Sequence, residues 1–348
     1  MPELASLSLP WIIVIFLVAA GAIARAGTGL ARMADQLADR TGMGEALTGT
    51  IFLAISTSLP GLVASITAAL EGRPALAISN AIGGIAVQTV FLALADISYR
   101  KANLEHAAAS IENMIQAVLL IIMLTLVLAG LTGPELTLGA VAVHPVTPLL
   151  LITASAGLVM VQRSGAQPMW RPRHTRETVP DVPDAGAKRL HLGTLIAAFA
   201  GTALVVALAG AVVATTTGII ADQTGLSETL AGALLSGLVT SLPELVTTLA
   251  AVRRGALTLA VSDIVGGNFF DVLFIFAADI AFIHGSLYHA DGVGMREVFL
   301  LALTLLLSAV LLLGLLYRQR RGPANIGFES VLMLAIYVLG YLALSQYM

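Results

Sequence analysis

Three acidic residues stand inside otherwise apolar stretches of the 348-residue chain: Glu244, Asp263 and Asp271. A carboxylate at the centre of a bilayer costs about 2.5–3.5 kcal/mol on insertion scales, so it calls for a compensating role. Glu244 directly follows Thr240-Ser241-Leu242-Pro243. Proline inside a helix removes a backbone donor and frees a carbonyl one turn earlier, and the Thr240 and Ser241 hydroxyls lie beside that break. Carboxylates, hydroxyls and freed carbonyls form an all-oxygen donor set, suited to hard cations such as Ca²⁺ or Na⁺ and not to soft metals. Asp263, two helical turns before Asp271, has three readings: a third ligand, a proton carrier, or a group in an aqueous vestibule. Asp96 and Asp279 fall near the ends of apolar stretches, where interfacial solvation is expected.

The same device occurs twice. Thr57-Ser58-Leu59-Pro60 returns as Thr240-Ser241-Leu242-Pro243 at an offset of 183 residues. The register runs without a gap from Ala38/Ala221 and Asp39/Asp222 through Glu45/Glu228 and Gly72/Gly255. It continues to Gly83-Gly84/Gly266-Gly267 and Ala95-Asp96-Ile97/Ala278-Asp279-Ile280. Thr57 and Ser58 therefore form a second hydroxyl pair, and the glycine pairs read as points of close helix packing.

These residues need membrane helices to hold them. The chain is 57% hydrophobic and only 11% charged, against about 25% charged in soluble domains. A span needs about 20 apolar residues, and ten segments qualify: 11–31, 46–70, 74–97, 113–131, 141–161, 191–214, 229–251, 256–283, 298–316 and 328–347. The expected fold is all-α and polytopic, with a five-span repeat over 1–162, a linker over 163–190 and a second five-span repeat over 191–348. Five is odd, so the second copy enters the membrane from the opposite face. Inverted repeats with discontinuous helices place ion sites near the midplane where the repeats meet. The stretch from Arg163 to Arg189, with Pro168, Pro172, Pro180 and Pro183, reads as a solvated, irregular connector.

Placing the N-terminus outside puts 15 of the 18 Lys and Arg on the side of this connector, which the positive-inside rule makes cytoplasmic. Met1 to Pro10 lacks the basic region of a cleavable signal, so the run from Trp11 is expected to be the first span of a multi-pass protein in a plasma or inner membrane. A net charge of −3 lacks the basic excess that nucleic acid demands. With no cysteine there are no disulfides, thiolate metal sites or Cys nucleophiles. No nucleotide-binding motif or nucleophile constellation points to an enzyme, and no resident cofactor is expected. The expected partners are the lipid bilayer and small inorganic cations, and the sequence identifies no protein partner.

The segments from Thr57 to Gln88 and from Thr240 to Asp271 resemble the paired alpha-repeats of the cation/calcium antiporter superfamily, which includes the sodium/calcium exchangers. Family members carry a GTSLPE-type and then a GNxxGSNxxN/D-type motif in each repeat. The resemblance implies ligands at Thr240, Ser241, Glu244, Asn268 and Asp271 in the second repeat, with Gly267 where Ser is usual and Asp263 where Asn is usual. The first repeat keeps Thr57, Ser58 and Asn80 but has Gly61 in place of the family's Glu, Gln88 in place of its Asn or Asp, and Gly84-Ile85 in place of Ser-Asn. One carboxylate is lost, and water, Gln88 or Asp263 is expected to fill the gap at Gly61. The full candidate set is Glu244, Asp271, Thr240, Ser241, Thr57, Ser58, Asn268, Gln88 and Asp263. The implied activity is antiport of Ca²⁺ or a similar cation against Na⁺ or H⁺ by alternating access. The alternatives are a monovalent cation/proton exchanger and a non-transporting membrane sensor or partner subunit with a degenerate first repeat.

Overall fold

Among the described residues, ten apolar helical segments carry the fold. A computed structural model describes residues 2–41, 54–99, 102–108, 110–138, 143–166, 172–173, 175, 191–320, 322 and 326–346. The first repeat contributes α1 (Leu9–Thr41), α2 (Leu59–Leu70), α3 (Pro74–Ser98), α4 (Ile111–Thr132) and α5 (Val146–Ala166). The second contributes α6 (Leu192–Thr224), α7, α8 (Leu257–Ala281), α9 (Met295–Tyr317) and α10 (Phe328–Leu344). α7 is broken into α7a (Glu228–Thr240) and α7b (Leu242–Arg254), bent by 47°. Seven of these helices are long and apolar enough to cross a bilayer, the bent α7 pair is an eighth, and α2 and α10 are shorter apolar helices. Glu45 and most of the connector after Ala166 lie outside the described residues.

The long helices depart from the expected segments for a physical reason. α1 and α6 each run 33 residues, about 50 Å at 1.5 Å per residue, well beyond a hydrocarbon core of about 30 Å. A helix of that length tilts or projects from the bilayer. The two pack against each other along much of their length.

Packing repeats the sequence symmetry. α2 packs on α6 as α7b packs on α1; α2 meets α8 as α7 meets α3; α3 meets α9 as α8 meets α4; and α4 meets α5 as α9 meets α10. Each of these contacts has its counterpart five helices away, the pattern expected of halves related by a pseudo-two-fold axis. The small residues between α3 and α7 permit their approach. A Cβ on Gly83 would lie 2.4 Å from Ala233 Cα, and one on Gly237 would lie 2.8 Å from the Gly84 amide nitrogen. The Gly266-Gly267 pair meets only ordinary contacts at 3.4 Å or more, so the close-packing expectation holds in the first copy alone. Gly72 and Gly255, equivalent in register, both take positive φ (72° and 82°), a conformation that side chains disfavour.

Asp96 and Asp279 are buried, not solvated as expected. Asp96 accepts from the Leu104 and Gly327 amides, each at 2.8 Å. Asp279 accepts from the Leu287 amide at 2.8 Å, the His144 amide at 3.0 Å and the Thr147 hydroxyl at 2.5 Å. Leu104/Leu287 and Gly327/His144 are themselves 183 apart, so the repeat extends into the loops. Each carboxylate ties the loop after its own helix to the segment leading into the last helix of one half. Backbone donors that would otherwise be orphaned near the membrane are thereby satisfied.

Candidate cation site

The site forms where α2, α3, α7 and α8 meet, at three helix breaks, two of which fall at prolines. The segment before α2 is helical over 54–57, is interrupted at Ser58, and resumes at Leu59 with Pro60 in its first turn. α7 passes through a π-helical stretch at Gly232–Ser236, breaks at Ser241, and resumes at Leu242 with Pro243 in its first turn. α8 is interrupted directly after Asp271. Each break exposes backbone carbonyls and sets a hydroxyl or acid at the turn.

A narrow cavity lies between these breaks, lined by Ser58, Gly61, Asn80, Gly84, Gln88, Thr240, Ser241, Glu244, Asp271 and Phe274. It is too narrow anywhere to hold a water molecule. Glu244 is 0% exposed and Asp271 1%. The two lie close enough for their charges to interact, and the Thr57 hydroxyl acts on Glu244 as well.

The two acids differ in how they are satisfied. Asp271 accepts from Ser58 Oγ on Oδ1 and from Gln88 Nε2 on Oδ2, both at 2.6 Å. Gln88 Nε2 also donates to Ser241 Oγ at 3.0 Å. Both Glu244 carboxylate oxygens are buried with no partner in hydrogen-bonding geometry. A buried ionised carboxylate without donors is unfavourable by several kcal/mol, so Glu244 is the point at which a proton or cation gains most. The Ser58–Asp271 and Gln88–Ser241 bonds are images of each other, because 58/241 and 88/271 are equivalent positions.

Of the expected residues, the structure brings together Ser58, Gln88, Thr240, Ser241, Glu244 and Asp271, with Thr57 beside Glu244. It does not bring in Asn268 or Asp263. Asn268 Nδ2 donates to Thr89 Oγ1 at 3.0 Å. Asp263 Oδ2 accepts from Thr247 at 2.5 Å and from Thr248 at 3.5 Å, away from the cavity wall. The gap at Gly61 holds the ring of Phe274, not water, Gln88 or Asp263; a Cβ on Gly61 would lie 2.6 Å from Phe274 Cε2. Sequence reasoning missed Phe274, although the 183-residue register pairs it with Phe91. It also missed Ser236, which donates to Asn80 Oδ1 at 2.6 Å. Among the described residues no three acidic or histidine side chains converge to hold a metal; the cavity offers two carboxylates and neutral oxygens.

Two five-helix repeats related by a pseudo-two-fold, with broken helices meeting at a buried, carboxylate-bearing cavity, define an inverted-repeat secondary transporter. Residues 11–162 and 193–345 both match the family described as sodium/calcium exchanger protein. The chain belongs to that family. It is 25% identical over 231 residues to the inner membrane protein YrbG of Escherichia coli (strain K12), a match spanning 65% of this chain and 66% of that protein. Its fold is that of the H⁺/Ca²⁺ exchanger CAX (TM-score 0.72, 13% identity, 97% of this chain and 85% of the other). It is also that of the sodium-calcium exchanger NCX_Mj (TM-score 0.60, 18% identity, 94% and 97%). The protein is therefore a membrane-embedded cation antiporter by family, and not an enzyme.

Proposed function

We propose that this antiporter exchanges Ca²⁺, or another hard divalent cation, for Na⁺ or H⁺ by alternating access. Glu244 carries the reading: a fully buried carboxylate whose oxygens have no partner in hydrogen-bonding geometry, opposite Asp271 in an oxygen-lined cavity at the junction of the repeats. Glu244 and Asp271 would supply the charge, with Ser58, Thr57, Thr240 and Ser241 as neutral oxygen ligands. Two carboxylates balance one divalent ion, two monovalent ions or two protons. The names of the fold relatives, an H⁺/Ca²⁺ and a sodium-calcium exchanger, agree with those loads. The proposed setting is a plasma or inner membrane with the N-terminus outside and the connector in the cytoplasm.

One observation favours a second reading, exchange of monovalent cations for protons. Gln88 presents its donor end to Asp271 and Ser241, filling with N–H groups the space in which a divalent ion would gather both carboxylates. Under the first reading the Gln88 amide turns when Ca²⁺ enters and presents Oε1, which is buried without a partner. Flux in sealed vesicles separates the two. Ca²⁺ uptake driven by an opposing Na⁺ or H⁺ gradient supports the first. Na⁺/H⁺ exchange unaffected by Ca²⁺ supports the second.

A further inference from the structure

Asp263 and Asn80 occupy equivalent positions, yet they behave differently. Asn80 uses both ends of its amide: Nδ2 donates to Gly61 O at 3.0 Å and to Ser65 Oγ at 2.8 Å, while Oδ1 accepts from Ser236. Asp263 meets the equivalent hydroxyl, Thr248, and the neighbouring Thr247 hydroxyl with one oxygen only. Its other oxygen, Oδ1, is buried without a partner, and the residue is 5% exposed. Thr247 Oγ1 also lies 3.0 Å from the Glu244 carbonyl oxygen. Where the first repeat has an amide bringing its own protons, the second has a carboxylate among oxygens. No described basic side chain forms an ion pair with it.

Position along the helices gives this arrangement a direction. Asp263 precedes Asp271 by about 12 Å along α8 at 1.5 Å per residue, and Thr247 follows Glu244 by one turn along α7b. Both displacements point to the end bearing Arg253 and Arg254. The helix repeat is inverted, so Asn80 is displaced toward the opposite end.

Resting on the central cavity being a cation site, we propose that Asp263, Thr247 and Thr248 form a second station for a monovalent cation, H⁺ or Na⁺, which serves the arginine-bearing side alone. One carboxylate matches one unit charge. The hydroxyls turn their lone pairs to Na⁺, or remain donors when the carboxyl carries a proton. Asn80, already saturated by neutral bonds, gives the other side no equivalent.

The ionisable groups on elements packed against Leu257–Asp271 are few. α7b carries Glu244 and, exposed at its end, Arg253 and Arg254. α3 carries Asp96, bonded to backbone amides; α4 carries Glu112, bonded to Ser110; the turn at Leu104–Ala107 carries Glu105 and His106; and Asp279 follows on α8 itself. Of these, Glu244 is the one whose charge interacts with that of Asp263.

The test uses the full-length protein in oriented vesicles, with Na⁺ at fixed pH, or pH without Na⁺, varied on one face at a time while Ca²⁺ flux is recorded. Ca²⁺ binding to the solubilised protein is measured by calorimetry. Asp263→Asn installs the residue found at position 80. It is expected to raise the half-saturating concentration on the arginine-bearing side by roughly tenfold, the weight of one charged ligand, with the opposite side and the Ca²⁺ affinity within about twofold. A shift in the Na⁺ series assigns Na⁺, and a shift in the pH series, with loss of a protonated-carboxyl infrared band, assigns H⁺. Thr247→Val shifts the same constant in the same direction by a smaller factor, and carries the test if Asp263→Asn does not fold. Equal shifts on both faces, or none, overturn the station. If the wild type neither binds nor moves Ca²⁺, the central reading fails. Na⁺ calorimetry and the infrared band then still decide Asp263: loss of either in Asp263→Asn supports the station, and loss of neither overturns it.

Discussion

Gly61 stands at the position equivalent to Glu244, and restoring a carboxylate there is a demanding test of the site. The substitution Gly61→Glu does not simply fill an open space. The Phe274 ring would lie 2.6 and 3.2 Å from the new Cβ, and must retreat by roughly 0.9 Å to reach ordinary carbon contact near 3.5 Å. Phe274 is itself buried in the core between α8 and α2, so this is overpacking, at about 1–3 kcal/mol. Adding a third carboxylate to a buried cavity that already holds two, and whose Ser58 and Gln88 donors are engaged by Asp271, raises the cost further. Phe274→Ala alone leaves a void and costs about 3–5 kcal/mol. Together the two changes relieve one another, because the glutamate enters the volume the ring vacates. The double variant should therefore be more stable than the two single losses imply, by about 1–3 kcal/mol of coupling.

The electrical consequence is the functional readout. Two carboxylates are neutralised equally by one divalent ion or by two monovalent loads, so the wild type is expected to move no net charge. A third carboxylate in the double variant unbalances the cycle by one charge. Over 100 mV that charge is weighted by about 2.3 kcal/mol, close to fiftyfold in rate or equilibrium if it crosses the whole field. The assays are thermal unfolding in detergent and proteoliposome flux at two clamped potentials. Wild-type stability in Gly61→Glu alone would refute the Phe274 argument. A voltage-insensitive but active double variant would refute the charge count.

Glu244→Gln and Asp271→Asn are each expected to abolish cation exchange at near-normal yield, since neither carboxylate is needed for packing; flux in vesicles checks this, and wild-type flux in either removes the site assignment. Glu105, on the turn between α3 and α4, is buried against the Glu329 carboxyl, and burial pushes it well above the usual carboxylate range. A folded-state value raised above the unfolded one means that stability is full below the unfolded value and is lost as pH rises through the folded one. Glu105→Gln is therefore expected to flatten the alkaline fall in melting temperature, and an unchanged pH profile would contradict it. The native chain has no cysteine, so a cysteine at the exposed His284 reports the side of the α8–α9 loop. Labelling only from outside is expected, whereas Ser286, buried and bonded to the Tyr288 amide, would be a poor probe.

The repeat was legible in the sequence because it rests on residue types that do not interchange by chance: Pro60/Pro243, Gly72/Gly255 and Asp96/Asp279 recur in one register. Glu244 and Asp271 were legible because an acid in an apolar run is costly. What the sequence concealed was direction and occupancy. Helical spacing puts Asp263 two turns from Asp271, but does not say that those turns carry it out of the cavity to Thr247 and Thr248. A missing side chain at Gly61 does not reveal what moves into its place, because apolar residues such as Phe274 are everywhere in a membrane core. Asp96 and Asp279 were misjudged because closeness to a helix end suggests water, whereas the loops fold back and supply amides.

The two repeats keep the same frame while separating their chemistry. The buried Asp96 and Asp279 clamps use equivalent amides, Leu104 and Leu287, at the same 2.8 Å, so the two ends of the molecule are braced alike. At the ion site and its neighbour Asp263, the differences in charge fall on three equivalent pairs: Gly61 and Glu244, Gln88 and Asp271, Asn80 and Asp263. In every pair the first repeat is neutral and the second acidic. A symmetric scaffold therefore supports a site whose charge, and the Phe274 ring, come from α7 and α8 only, while the Ser58 break before α2 and Asn80 and Gln88 of α3 contribute hydroxyl and amides. Rocking one repeat against the other exposes a symmetric cavity alternately. With all the acids on one partner, the cation travels with α7 and α8, and the Gln88 and Ser58 bonds to Asp271 are the contacts that must break if α2 and α3 move away from them. Gln88→Leu, which removes the amide donor but keeps much of its volume, is thus expected to loosen the junction of the repeats and speed opening. Slower opening, read as slower cation exchange under saturating gradients, would show that the amide helps the site to open and does not hold it shut.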